Sequence, residues 1–201
     1  MNKIIYLFLF FLNIYNGYSQ LNNYQWNTTV DTIKKMEGIP NIEDFQYLIY
    51  RNRNIENYQM DIRYYFYENE LHAIDYTITG NYSIDEWIET YIYFENLINN
   101  YCNFTIYFSD EETREQLLRV YHKFQGINIS GNNIINGKLF TGYVFAVLMR
   151  IIRNYDETTI ELDFNYLNIQ NIFEIKIKFR SSEYNIIFDY YIHNNILYGN
   201  L

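Results

Sequence analysis

The residues best suited to chemistry in this 201-residue chain are three histidines, one cysteine and a run of carboxylates. His72, His122 and His193 are far apart, and no two stand at metal-ligand spacing. His72 falls on the apolar side of an alternating segment, two residues before Ile74, which predicts a hydrogen-bonded core or edge histidine. Cys102 lies among Tyr101, Phe104 and Ile106 and reads as a buried, inert thiol. A nucleophilic thiol needs a base and an orienting group, and its neighbours in sequence supply neither. Asp110, Glu111 and Glu112 precede a helix-periodic run, where carboxylates complement the positive end of the helix. As an acid–base pair they would need burial or a like charge forced close. There is no Gly-rich phosphate loop, no H-E-x-x-H, no G-x-S-x-G and no EF-hand spacing. These residues predict no catalytic, cofactor-binding or metal site. One group reads as a contact surface instead. Tyr65 and Tyr67 project with Arg63 from the outward face of a strand, and large amphipathic rings beside an arginine are typical interface anchors.

Composition narrows the partners. The formal net charge is −9, and Lys and Arg do not cluster, so a phosphate backbone is a poor match and no nucleic acid is expected. Hydrophobic residues make up 49% of the chain, enough for a packed core. The opening "NKIIYLFLFFLNIYNGYSQ" reads as a secretory signal peptide over residues 1–19. Lys3 gives the positive start, Ile4–Tyr15 the apolar centre, and Gly17 and Ser19 the small residues before a cut at Gln20. The run is too short to span a membrane, and no second membrane-length segment follows. Removing 19 of 201 residues leaves 182, which suits one α+β domain over 20–201, with 20–101 and 102–201 as candidate halves. A lone cysteine allows no internal disulfide, so packing must supply the stability.

The elements that would position these residues are marked by caps and periodicity. In "WNTTVDTIKKMEGIP", Thr29 suits an N-cap, Val30, Ile33 and Met36 share a helix side, and Gly38 with Pro40 stops the helix. Tyr47–Tyr50 is a short apolar run. Tyr58, Met60, Ile62, Tyr64 and Phe66 alternate with polar or outward residues, Glu68-Asn69-Glu70 marks a turn, and Ile74, Tyr76 and Ile78 alternate again. Ser83 with Glu86 forms a capping box before a broad apolar stripe from Ile84 to Tyr101. Ser109 with Glu112 starts a further helix to about Phe124, and Gly126–Gly137 reads as a loop. Tyr143–Ile152, almost wholly apolar, predicts a central strand buried on both faces, with a helix as the alternative. Ile160, Leu162 and Phe164 alternate with Glu161 and Asp163, and Phe173 to Phe179 alternates with Glu174, Lys176, Lys178 and Arg180. Pairing of those two strands would set acidic against basic side chains. The fold class is therefore α+β: antiparallel sheet packed against helices, with two related helix-plus-meander halves as one option.

The segment "WNTTVDTIKKMEGIPN", the meander ending "YYFYENELHAIDYTI", the helix "ETYIYFENLINNY" and the closing "YDETTIELDF" and "FEIKIKFRSS" together resemble a class of exported bacterial proteins of unknown function. Their pattern is Trp-Gly-x-Ser/Thr, a short helix, Glu-Gly-x-Pro, then strands and a helix. In style this is similar to the BamE/SmpA outer-membrane assembly lipoproteins and to the β-lactamase inhibitor protein. Here Asn27 stands where glycine is usual, and no lipid-anchor cysteine follows the leader. The resemblance implies protein binding. The expected function is thus an exported, periplasmic or extracellular, non-catalytic module that binds another envelope or extracellular protein. The alternative is a secreted hydrolase or carbohydrate-active enzyme whose site is assembled from residues distant in sequence.

Overall fold

The structure, a computed structural model, describes residues 24–55, 57–80, 82–105, 108–125, 133–135, 138–140, 145–167 and 172–184. The stretch 1–19 read as a signal peptide, most of the stretch 126–137, and His193 with the rest of the tail lie outside those residues. The elements are α1 (Val30–Glu37), β1 (Ile42–Glu43), β2 (Tyr47–Ile55), β3 (Tyr58–Tyr67), β4 (Glu70–Gly80), α2 (Ile84–Tyr101), α3 (Asp110–Gln125), β5 (Asn133–Ile135), β6 (Lys138–Phe140), β7 (Phe145–Tyr155), β8 (Thr158–Leu167) and β9 (Ile172–Ser181). Seven strands form one antiparallel sheet in the order β1-β2-β3-β4-β9-β8-β7, and β5 pairs with β6. This is the α+β class. No helix among the described residues is long and apolar enough to cross a membrane. The chain divides into two compact units, cut at Asp75/Tyr76 within β4 and at Lys178/Phe179 within β9.

In the first unit, local sequence sets each turn. Thr29 caps α1 by accepting the Thr32 N–H, and the Gly38 N–H bonds back to the Lys34 carbonyl at 2.9 Å. Gly38 holds φ +86°, a conformation that side chains disfavour. Asn27 sits at φ +73°, the left-handed region that glycine favours and asparagine tolerates. Glu68 and Asn69 both take positive φ and join β3 to β4. β2 and β3 pair with Leu48 opposite Tyr64 and Tyr50 opposite Ile62, and all four are buried. α1 adds Ile33, fully buried. Met36 is spaced for the same helix side yet stands 59% exposed. Glu37 takes the inner place instead, accepting hydrogen bonds from the Tyr24 and Tyr64 hydroxyls.

In the second unit, both capping boxes form. Ser83 N–H donates to Glu86 at 2.7 Å and Ser109 N–H to Glu112 at 2.7 Å. α2 buries Trp87, Ile88, Tyr91, Ile92, Phe94 and Ile98. Trp87 packs on Phe164 and Phe173 with ring centroids 6.4 and 6.1 Å apart, and Tyr91 stacks on Phe164 at 5.8 Å. Each such ring contributes about 1.5–3 kcal/mol by leaving water.

Three expectations need correction. Phe145–Tyr155 is a strand, but it ends the sheet order, and Ile152 is half exposed; periodicity cannot tell a central from an edge strand. Within the expected loop 126–137, Asn133–Ile135 is strand, paired with Lys138–Phe140. Asp163, expected outward, is buried, because Arg150 and Lys178 close over its carboxylate. The acidic–basic facing of the last two strands is present: Lys178 Nζ lies 3.2 Å from Glu161 and 2.6 Å from Asp163.

Candidate interaction surface

Arg63, Tyr65 and Tyr67 do share one neighbourhood in the first unit, but much of it is turned inward. Arg63 is exposed and donates to the Tyr65 hydroxyl at 3.3 Å, with its guanidinium 5.5 Å from the Tyr47 ring. Tyr65 is half-buried and donates to Asp75 at 3.1 Å. Burial, then the Asp75 charge, pushes its phenol above the ordinary tyrosine value. Arg180 stands over Tyr65 and Tyr184, at 5.8 and 4.7 Å from the ring centroids, and reaches Asp75 at 2.5 Å. Tyr67 lies half-buried, edge-on to His72. Arg63 and Tyr65 thus belong to an Arg–Tyr–Asp–Arg network that ties strands together, and Tyr67 packs apart from it.

The chemically able residues do not converge. His72 is buried, its Nδ1 3.2 Å from Ser181 Oγ. His122 is exposed on α3 beside Tyr121. Cys102 caps the end of α2; burial raises its thiol above the usual value, and nearby Arg153 opposes that. Asp110, Glu111 and Glu112 are exposed at the start of α3. Hydrogen bonds from the Ser109 backbone and hydroxyl hold Glu112 below the usual carboxylate range, as a cap does. Among the described residues, no three His, Cys, Asp or Glu side chains are grouped to hold a metal ion. The second unit does contain a polar row on α2 at helical spacing, Tyr91, Glu95 and Asn99, with Arg153 donating to Asn99 at 2.9 Å. Burial lifts Glu95 above the usual carboxylate range, against the pull of Arg153. Among the described residues, the Tyr91 hydroxyl has no hydrogen-bond partner.

The surface that sequence reasoning missed lies at the other end of the first unit. Met36, Ile39, Ile42 and Phe45 are 59, 94, 37 and 82% exposed, and all fall within ten residues. They run from the last turn of α1, through the Gly38-Ile39-Pro40 connection, to β1 and the turn before β2. β1 is an outermost strand of the sheet. The strand register sets Ile42 on the sheet face of Ile49 and Arg63, and Glu43 on the other face, where it meets Lys34 of α1. The backbone of the segment is held firmly. Tyr50 OH donates to the Gly38 carbonyl at 3.1 Å and Arg53 to the Glu37 carbonyl at 2.7 Å. Asn41 N–H bonds to Ile49 at 2.8 Å, and its side-chain oxygen accepts from Arg51 N–H at 2.7 Å. Asp44 N–H bonds to Tyr47 at 2.9 Å, and Lys34 pairs with Glu43. An apolar segment fixed by this many bonds is pre-organised for contact, so little ordering cost opposes binding. The only sequence signal was negative: these apolar residues obey neither a strand nor a full helix period.

No protein-family model, no curated protein and no solved structure matches the chain.

Proposed function

We propose that this chain is an exported, non-catalytic module that binds another protein, in the periplasm or outside the cell, through the apolar segment Met36–Phe45. The observation that carries the reading is the exposure of four apolar side chains within one hydrogen-bonded stretch that leads from α1 to the turn after the outer strand β1. Binding sites use such pre-ordered anchors because most of the gain from burying them is retained. The signal-peptide pattern of residues 1–19 supports export. The likeness of Trp26–Asn41 and the following meander to exported, BamE-like proteins supports protein binding by analogy of pattern alone.

The test has two arms. The N-terminus of the natively produced chain is expected at Gln20, and a chain in the cytosol still starting at Met1 would refute export. The mature protein, used as bait on its own cell envelope, is expected to retain a protein partner that Phe45→Asp releases. A partner retained equally by that variant, or none above background, would remove the basis for this surface.

A further inference from the structure

We infer that the free edge of β7 pairs with the β7 of a second copy of this chain, antiparallel and about a two-fold axis at Ile152. Among the described residues, β7 bonds to β8 alone and stands last in the sheet order. None of residues 149–155 is buried, although Ile160, Leu162, Asp163 and Phe164, which face them from β8, all are. The stretch has no Pro, Gly or Lys, and the one irregularity in its pairing falls at its start, between Val147 and Met149. Its two charged side chains are engaged within their own copy, Arg150 by Asp163 at 2.6 Å and Arg153 by Asn99 at 2.9 Å. An edge without such guards recruits another strand.

The backbone sets the register. The turn Asp156-Glu157 joins Tyr155 directly to its partner Thr158, so those two exchange their N–H and C=O groups. Alternation back along β7 then directs Arg153 and Ile151 to β8 and turns the backbone groups of Asn154, Ile152 and Arg150 outward. The Ile152 carbonyl accepts from the Arg153 guanidinium at 3.0 Å, which fits an outward direction and leaves a lone pair for a partner N–H. An axis at Ile152 sets Arg150 opposite Asn154 of the second copy and Ile152 opposite Ile152. Each of these is a pair that exchanges both its hydrogen bonds.

The side chains match in the same register. Ile152, 50% exposed, covers its counterpart, and Tyr155, 40% exposed, lies across from Met149. The strand and its turn carry Arg150, Arg153, Asp156 and Glu157, which sum to zero in a chain of −9. Glu161 and Asp163, behind the edge, are held by Lys178 and Arg150. An axis at Arg150 or Arg153 would set like charges face to face. The axis at Ile152 keeps the arginines apart and brings the acidic turn of one copy toward Arg150 of the other. A second copy is thus the occupant that matches this edge in backbone direction, apolar residues and charge together. At the opposite end of the sheet, β1 is two residues long and offers no comparable edge, so assembly stops at two copies. The contact uses no residue of the segment 36–45 and is independent of the binding reading above.

Sedimentation of the mature chain over about 1 μM to 1 mM is expected to show a monomer–dimer equilibrium. Ile152→Lys sets two cations together at the axis, and Asn154→Pro removes an outward N–H without removing a bond to β8. Each is expected to weaken dimerisation by about tenfold or more. Both residues are exposed, so the circular dichroism spectrum of the monomer should be unchanged. Phe45→Asp is expected to leave the equilibrium as it is. Amide exchange read by NMR is expected to slow at Arg150, Ile152 and Asn154 as concentration rises, while Ile151 and Arg153, already bonded to β8, change little. A chain that stays monomeric to about 1 mM overturns the pairing, as does a dimer that neither β7 variant weakens. If the chain is monomeric and those amides slow only when an envelope protein is added, the edge takes a foreign strand and the two-copy pairing falls.

Discussion

Asp163→Asn is the sharpest perturbation of the second unit. The carboxylate is buried and accepts from Arg150 at 2.6 and 3.0 Å and from Lys178 at 2.6 Å. Hydrogen bonds to charged groups are worth about 1.5–3 kcal/mol each. The loss is smaller than that sum. Arg150 is nearly half exposed and regains water, and Lys178 keeps Glu161 at 3.2 Å. A net loss of about 2–3 kcal/mol at pH 7 is therefore expected. The pH dependence separates this cause from simple misfit. Burial alone would raise the Asp163 carboxyl, but the hydrogen bonds and charges of Arg150 and Lys178 outweigh it, and the group lies below the ordinary aspartate value. A depressed folded value contributes stability above the unfolded value, about 3.9, and that contribution disappears as pH falls through the folded value. The gap between wild type and Asp163→Asn should be full at pH 7 and shrink below about pH 4. The assay is urea unfolding followed by Trp87 fluorescence in a Trp26→Phe background, since these are the only two tryptophans. A loss under about 0.5 kcal/mol at pH 7, or one that stays constant into acid, would refute the electrostatic account.

Tyr91→Phe is expected to be neutral or to stabilise by up to about 1 kcal/mol in the same assay, because the buried hydroxyl it removes has no hydrogen-bond partner among the described residues. Ser83→Ala should lower stability by about 1 kcal/mol through loss of the capping box, and Ser83→Gly by less, read as a shift in the urea midpoint. Glu95 titrates in the opposite sense to Asp163. Its folded value is raised, so its contribution is full below the unfolded value, about 4.3, and lost as pH rises through the folded value. Wild type should therefore lose stability between acid and neutral pH relative to Glu95→Gln, and a difference independent of pH would count against this.

Much of the fold was legible because its signals are local. Thr29, Ser83 with Glu86 and Ser109 with Glu112 announce helix starts through bonds that span only three residues. The alternation of Tyr58–Phe66 and Phe173–Phe179 announces buried strand faces in the same way. What was not legible depends on which strands become neighbours. Phe145–Tyr155 is apolar enough for the middle of a sheet, yet it sits at the edge. Asp163 looks outward by period, but two long cationic side chains from β7 and β9 close over it. The exposed apolar residues were hidden for a related reason. Ile39 and Phe45 belong to no periodic run, and the bonds from Tyr50, Arg53 and Arg51 to Gly38, Glu37 and Asn41, which hold the connection around Ile39, come from later in the sequence. Arg63, Tyr65 and Tyr67 did alternate as expected, but Asp75 and Arg180 arrive from distant sequence and engage Tyr65.

The cuts within β4 and β9 make the second unit one continuous stretch, Tyr76–Lys178, which in sequence interrupts the first unit. A nascent chain emerging from its N-terminus holds the whole inner stretch before Phe179–Ser181 is made. His72 and Asp75 then find Ser181 and Arg180 only after that stretch has been made. Closing so long a loop is slow compared with forming local contacts. The local contacts of α1 and of the β2–β3 hairpin can form first, and the pairing of His72 and Asp75 with the last strand acts as a latch that closes the first unit.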